Sequence, residues 1–120
     1  MTFAELWRRR IELVDTPVSV EAKVFFRLDC ASPTPDGPPC VATGFVTDPR
    51  TQDLPLYQNN EAFPFYIGGV AVACRTATLD ANFTCMGWRH QATGAIGGSL
   101  KYLVLGGRTT KDLGFVADKE

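Results

Sequence analysis

Charge of one sign is what this sequence most conspicuously lacks: 12 Lys plus Arg against 13 Asp plus Glu leave a formal net charge of -1 over 120 residues. Nothing then concentrates a polyanion near the surface, and nucleic acid is disfavoured as a partner. The basic run Arg8, Arg9, Arg10 is a local exception and reads as the solvated face of a helix. There is no apolar run of membrane-spanning length, and residues 1–8 lack the basic start, apolar middle and small-residue cleavage site of a secretory signal. The expectation is a protein made in the cytoplasm, without membrane contact, and released, if at all, as part of a larger particle such as a virion. In that setting the sequon Asn82-Phe83-Thr84 is a chance match.

Catalytic signatures are equally sparse. Zinc sites draw on two ligands separated by two to four residues, because a tight loop preorganises both thiolates. Cys30/Cys40 and Cys74/Cys85 are spaced far more widely, and His90 is the single histidine. On an alternating strand Cys85 and His90 point to opposite faces, which argues against a thiolate–imidazole pair. The acids Asp15, Asp29, Asp36, Asp48, Asp53, Asp80 and Asp112 are scattered through turns and element ends, and no two form an acid–base pair. Residues 94–101 resemble a phosphate loop only superficially, since the Gly-Lys-Ser/Thr ending is absent and a strand-forming run follows. No cofactor, metal or catalytic residue is assigned, and the protein is read as a non-enzyme.

Against these absences stands a composition well able to fold. With 45% hydrophobic and 21% charged residues the chain lies in the globular range. At this length it buries roughly two-thirds of the surface its unfolded form exposes, enough for one core without cysteine staples.

Thr2 followed by Glu5 has the spacing of a capping box. Phe3, Leu6, Trp7, Ile11 and Val14 then recur at helical intervals, with Glu5/Arg9 and Arg8/Glu12 as i,i+4 pairs, until Asp15-Thr16-Pro17 ends the pattern. This predicts an amphipathic helix over residues 2–14. From Val18 the period becomes two, placing Val20, Ala22, Val24, Phe26, Leu28 and Cys30 on one strand face. A proline-rich loop, 31–39, leads to a return strand from Cys40 to about Thr47. Residues 48–64 are predicted to form a long irregular loop anchored by Leu54, Leu56 and Tyr57. A central strand is predicted over 65–76, a shorter one over 83–90, a glycine-rich break over 91–99, and a strand over 100–105 stopped by Gly106-Gly107. Each cysteine pair falls at a hairpin mouth. Disulfides Cys30/Cys40 and Cys74/Cys85, buried free thiols and a shared metal site remain open as fates, with reduced thiols the default in a cytosol.

The fold class expected is mainly β: an antiparallel sheet, small β-barrel or sandwich of five to six strands with one N-terminal helix. It forms a single domain over 1–120, comprising the helix at 2–14, a β body at 18–107 with the long loop 48–64, and a polar tail at 108–120. The function expected is that of a structural assembly subunit making protein–protein contacts in an oligomer or larger complex, with a phage virion component as its specific form. Phe3, Leu6, Trp7, Tyr57, Phe63 and Tyr66 are the interface candidates, because aromatic and apolar groups left partly exposed mark partner sites. One alternative is a small ligand-binding β-barrel with Trp88, Met86, Tyr102 and His90 at its mouth. Another is a Cys/His zinc protein or thiol enzyme.

Overall fold

A computed structural model describes residues 1–29, 41–53, 61–67, 84, 85, 87–89 and 91–118. The protein is mainly β, with one short helix, α1 (Phe3–Arg8), preceding the strands β1 (Val18–Asp29), β2 (Val41–Thr47), β3 (Ala62–Ile67), β4 (Thr84–Cys85), β5 (Trp88–Arg89), β6 (Gln91–Leu105) and β7 (Arg108–Ala117). β1, β2, β3, β7 and β6 pair in that order and β6 returns to β1, so five strands form a closed ring. β4 and β5 make a separate two-stranded hairpin.

All the ring pairings are antiparallel except β3–β7, which is parallel and aligns Phe65 with Phe115 and Ile67 with Ala117. The expected antiparallel arrangement holds for every ring pairing but this one. The reason for the difference is parity: strands that alternate in direction around a closed ring must be even in number, so a ring of five contains at least one parallel neighbour pair. β3 is the joint. Its first half pairs with β2, through Phe45 and Pro64, and its second half pairs with β7.

The core follows the alternation of each strand. Val20, Ala22, Val24 and Phe26 of β1 point inward, as expected from their period of two, and meet Val46, Phe63, Phe65, Ile96, Leu100, Phe115 and Ala117. Phe26 and Trp88 pack edge-on against Phe65 at ring-centre distances of 5.7 and 5.8 Å, a favoured aromatic arrangement. Leu28 and Cys30 belong to the predicted inward face, but their side chains lie outside the described residues, as do the 31–39 loop and residues 68–76 of the predicted central strand.

Residues 1–15 close one end of the ring. The Thr2 hydroxyl accepts from the Glu5 amide at 3.2 Å and caps α1. Phe3 and Leu6 are wholly buried beneath the helix. The segment is pinned at both ends: Glu21 N–H donates to the Met1 carbonyl and Asp15 N–H to the Leu100 carbonyl, each at 2.9 Å. α1 is shorter than the predicted 2–14. The Arg10 guanidinium donates to the Trp7 carbonyl at 2.7 Å while lying 4.6 Å from the Trp7 ring centre, which satisfies a helix-end carbonyl. The turns beyond it bury Leu13 instead of Ile11, which is 67% exposed, and carry Val14 to a bridge with Leu100. Of the helical ion pairs, Glu5–Arg9 forms at 3.6 Å, while Glu12 is taken by Arg9 at 3.1 Å.

Further expectations meet a different outcome. Residues 91–99 are not a break but part of β6, the longest strand. Gly98 serves close packing: a Cβ there would meet the Val116 carbonyl oxygen and come within 2.7 Å of the Phe115 ring. The predicted strand over 83–90 instead reverses between Cys85 and Trp88, with Gly87 at φ 91°. The tail from residue 108, polar but with an apolar insert at Leu113, Phe115 and Val116 that left a final short strand open, is the whole ring strand β7, its inner half carrying the buried Phe115 and Ala117. The predicted loop 48–64 ends early, because Ala62, Phe63 and Pro64 already belong to β3.

Candidate functional site

The interface candidates fall into separate environments. Phe3, Leu6 and Phe63 are at most 2% exposed, and the Phe3 and Phe63 ring centres are 5.8 Å apart. These side chains are spent on seating the helix and offer no surface, which corrects their assignment as contact residues. Trp7 is half-buried on the same cluster, 4.9 Å from Phe63. Tyr66 is half-buried on the outer face of β3, its ring above Gly114 of β7. Tyr57 lies outside the described residues, as do Cys30, Cys40, Cys74, Met86 and His90. Cys85 is wholly buried and disulfide-bonded. Trp88 and Tyr102 occupy different elements: Trp88 packs on Phe65, whereas Tyr102 lies opposite Leu113 on the β6–β7 hairpin. Among the described residues the buried Trp88 indole N–H has no hydrogen-bond acceptor. Among the described residues, no group of three or more His, Cys, Asp or Glu side chains is placed to hold a metal ion, and no helix is long and apolar enough to cross a membrane.

A different surface emerges at the far end of β6 and β7. β6 pairs with β1 only from Gln91 to Gly98, and β7 pairs with β3 only from Phe115 to Ala117. The pairing of β6 with β7 continues to Leu105 and Arg108. Residues 101–114 are thus a two-stranded arm that extends past the ring. Its tip is the two-residue turn Gly106-Gly107, with φ 58° and 77°. Two successive positive φ values are what a right-twisted hairpin needs, and glycine supplies them without a Cβ penalty.

The base of the arm is held firmly. Lys101 Nζ donates to Asp15 Oδ1 at 2.7 Å, and the Leu103 side chain lies over Gly114, where a Cβ would come within 2.5 Å of it. Farther out the register slips between Tyr102 and Val104, since Tyr102 faces Leu113 but Val104 faces Thr109. The additional residues form a bulge on β7, where the Thr110 hydroxyl accepts from the Asp112 amide at 3.1 Å and donates to the Asp112 carbonyl at 3.3 Å.

This arm carries three of the exposed large apolar side chains: Tyr102 at 40%, and Val104 and Leu105 at 62%. On a two-stranded ribbon they have, among the described residues, no further sheet or helix to lie against. A cluster of this kind marks a contact surface. The signal was present in the sequence, for Tyr102-Leu103-Val104-Leu105 is apolar on both faces of a strand that ends at a two-glycine turn. Read locally, the run is only a strand over 100–105 with Tyr102 at the mouth of a ligand-binding barrel, because nothing in it shows that it extends past the ring.

No family model matches the chain, and neither the curated proteins nor the solved structures give a match.

Proposed function

We propose that this protein is a non-enzymatic assembly subunit whose contact surface is the β6–β7 arm, and that its partners are proteins: further copies of itself or other subunits of a larger particle, a phage virion in its most specific form. The observation that carries this reading is the exposure of Tyr102, Val104 and Leu105 on a ribbon that, among the described residues, is anchored at its base. The nearly balanced charge supports it, because association of like subunits meets little long-range repulsion. The disulfide at Cys85 accords with a product that works outside a reducing cytosol. The inward positions of the ring are taken by its own side chains, so the chemistry on offer lies at the surface.

Sedimentation of the full chain against a triple variant, Tyr102→Ser, Val104→Ser and Leu105→Ser, tests the proposal. The wild type associates progressively as concentration rises, and the variant stays monomeric while keeping a wild-type unfolding temperature, since none of the three side chains fills the core. A wild type that remains monomeric at all accessible concentrations refutes the reading. So does a triple variant that associates as strongly as the wild type.

A further inference from the structure

The two long edges of the arm are unlike. The outer edge of β7 carries the devices that keep strand edges from pairing: a bulge at residues 110–112 and the exposed charges of Arg108, Lys111 and Asp112. The outer edge of β6 over 102–105 carries none, with no charge, proline or bulge. Its backbone groups also point outward. The Leu100 carbonyl accepts from Asp15 on the edge away from β7, and in an antiparallel ladder alternate residues direct N–H and C=O to the same side. Tyr102 and Val104 therefore present their amides and carbonyls to that edge, where no described strand pairs with them.

We infer that this edge is completed by the same edge of a second copy, in an antiparallel pairing centred on Leu103; the inference rests on the assembly reading above. A two-fold axis relating two antiparallel neighbours stands perpendicular to the sheet and keeps every side chain on its face, so opposed residue numbers must sum to an even value. Centring on Leu103 sets Tyr102 against Val104, Leu103 against its twin, and Lys101 against Leu105. Tyr102 and Val104 are the residues whose backbone groups face outward, so the pairing makes about four intermolecular hydrogen bonds, two for each Tyr102–Val104 pair. A register one step nearer the base drives the partner's tip against Val14 and Asp15, which already cover the edge at Leu100. A register one step farther out places Tyr102 against the turn glycine Gly106. The central register opposes aromatic to β-branched and leucine to leucine, sets no like charges across from one another, and leaves neither copy with an open apolar edge. That mutual closure favours a second copy over an unrelated strand. The contact falls well short of the roughly 1,600 Å² of a standard interface, so the arm-to-arm association is weak and concentration-dependent.

Single-cysteine variants of the full chain read the register directly. Leu103 and its twin form a non-hydrogen-bonded pair, whose Cβ atoms sit about 4.5–5.5 Å apart, so Leu103→Cys yields a covalent dimer with oxidised glutathione. Val104→Cys, whose twin is displaced by two residues along the strand, yields little, with the wild type oxidised in parallel as the baseline. Val104→Pro supplies an independent reading. The Val104 N–H faces away from β7, so proline there costs the hairpin no hydrogen bond but blocks the intermolecular ladder, and the association constant falls by at least about tenfold. Equal cross-linking of Leu103→Cys and Val104→Cys, or a Val104→Pro variant that associates like the wild type, overturns this pairing. If association is nonetheless lost in the triple serine variant, the arm remains the contact surface in another geometry. A monomeric wild type removes the assembly reading itself.

Discussion

Alanine placed at three glycines of the ring should destabilise the protein in a graded order set by what each new methyl group meets. At Gly97 the nearest atom is Asp118 Oδ2 at 2.8 Å, the end of an exposed side chain with room to turn aside. The remaining effect is the loss of backbone freedom in the unfolded chain, worth about 0.4–1 kcal/mol in favour of the variant. Gly97→Ala is therefore neutral to slightly stabilising. At Gly44 the methyl meets Phe26 at 3.0 and 3.1 Å and the Phe65 Cβ at 3.1 Å. Packed rings yield by a few tenths of an ångström, for a net cost of about 1 kcal/mol. At Gly98 the obstacle is the Val116 carbonyl together with the Phe115 ring at 2.7 and 2.9 Å. A carbonyl fixed in the β6–β7 ladder cannot rotate away, so the cost reaches the upper end of overpacking, about 3 kcal/mol. With an unfolding entropy of about 2.1 cal/mol/K per residue, that lowers the Tm of this 120-residue chain by about 12 °C. Calorimetry or denaturant titration measures all three variants. A Gly98→Ala protein no less stable than Gly97→Ala would refute the explanation of why a glycine-rich segment lies in a core strand.

Leu6→Ala removes a fully buried side chain from the helix seat and should cost about 2–5 kcal/mol, with hydrogen-exchange protection lost first over residues 1–13. The Arg50 guanidinium, at 3.1 Å, and the Arg50 amide, at 2.9 Å, hold the Asp48 carboxyl below its ordinary value. A depressed carboxylate adds stability above its unfolded pKa and loses it as pH falls through the folded value, so unfolding midpoints should decline on the acid side. Arg50→Gln flattens that part of the profile, by a small amount because Arg50 is 88% exposed. An acid limb unchanged in Arg50→Gln would show that the pair contributes nothing.

Much of the ring was legible because its signals are local. The Thr2 cap needs only Glu5 nearby, and Val20, Ala22, Val24 and Phe26 announce an inward face by their period alone. What escaped depends on residues distant in the chain. Gly94, Gly97 and Gly98 look like loop markers until Phe115 is seen to fill the space over Gly98. The polar stretch 108–112 conceals a strand because it runs along the solvated arm, while Phe115 and Ala117 reach the core and Leu113 packs against it. Pro64 marked a loop by composition, yet it lies where β3 passes from β2 to β7, and proline is tolerated at such irregular positions. The aromatic residues near the N-terminus pointed to a contact face, but a chain that closes its barrel end with its own helix consumes Phe3, Leu6 and Phe63 in doing so.

Asp15 determines how much of β6 remains open. It is a non-glycine residue at φ 64°, in the left-handed region that aspartate enters more readily than most residues. From that conformation its amide reaches the Leu100 carbonyl at 2.9 Å and its carboxylate reaches Lys101 at 2.7 Å. Both bonds secure the base of the arm, and both stop there, because Thr16 and Pro17 turn the chain back toward β1. Had the N-terminal segment continued along β6, it would have covered the backbone groups of Tyr102 and Val104, leaving a finished sheet. Its departure at Asp15 leaves those groups free of any described strand beside apolar side chains on both faces of the ribbon. The open edge is therefore a consequence of how the barrel end is closed, and the length available for pairing is fixed by the distance from Asp15 to the Gly106-Gly107 turn.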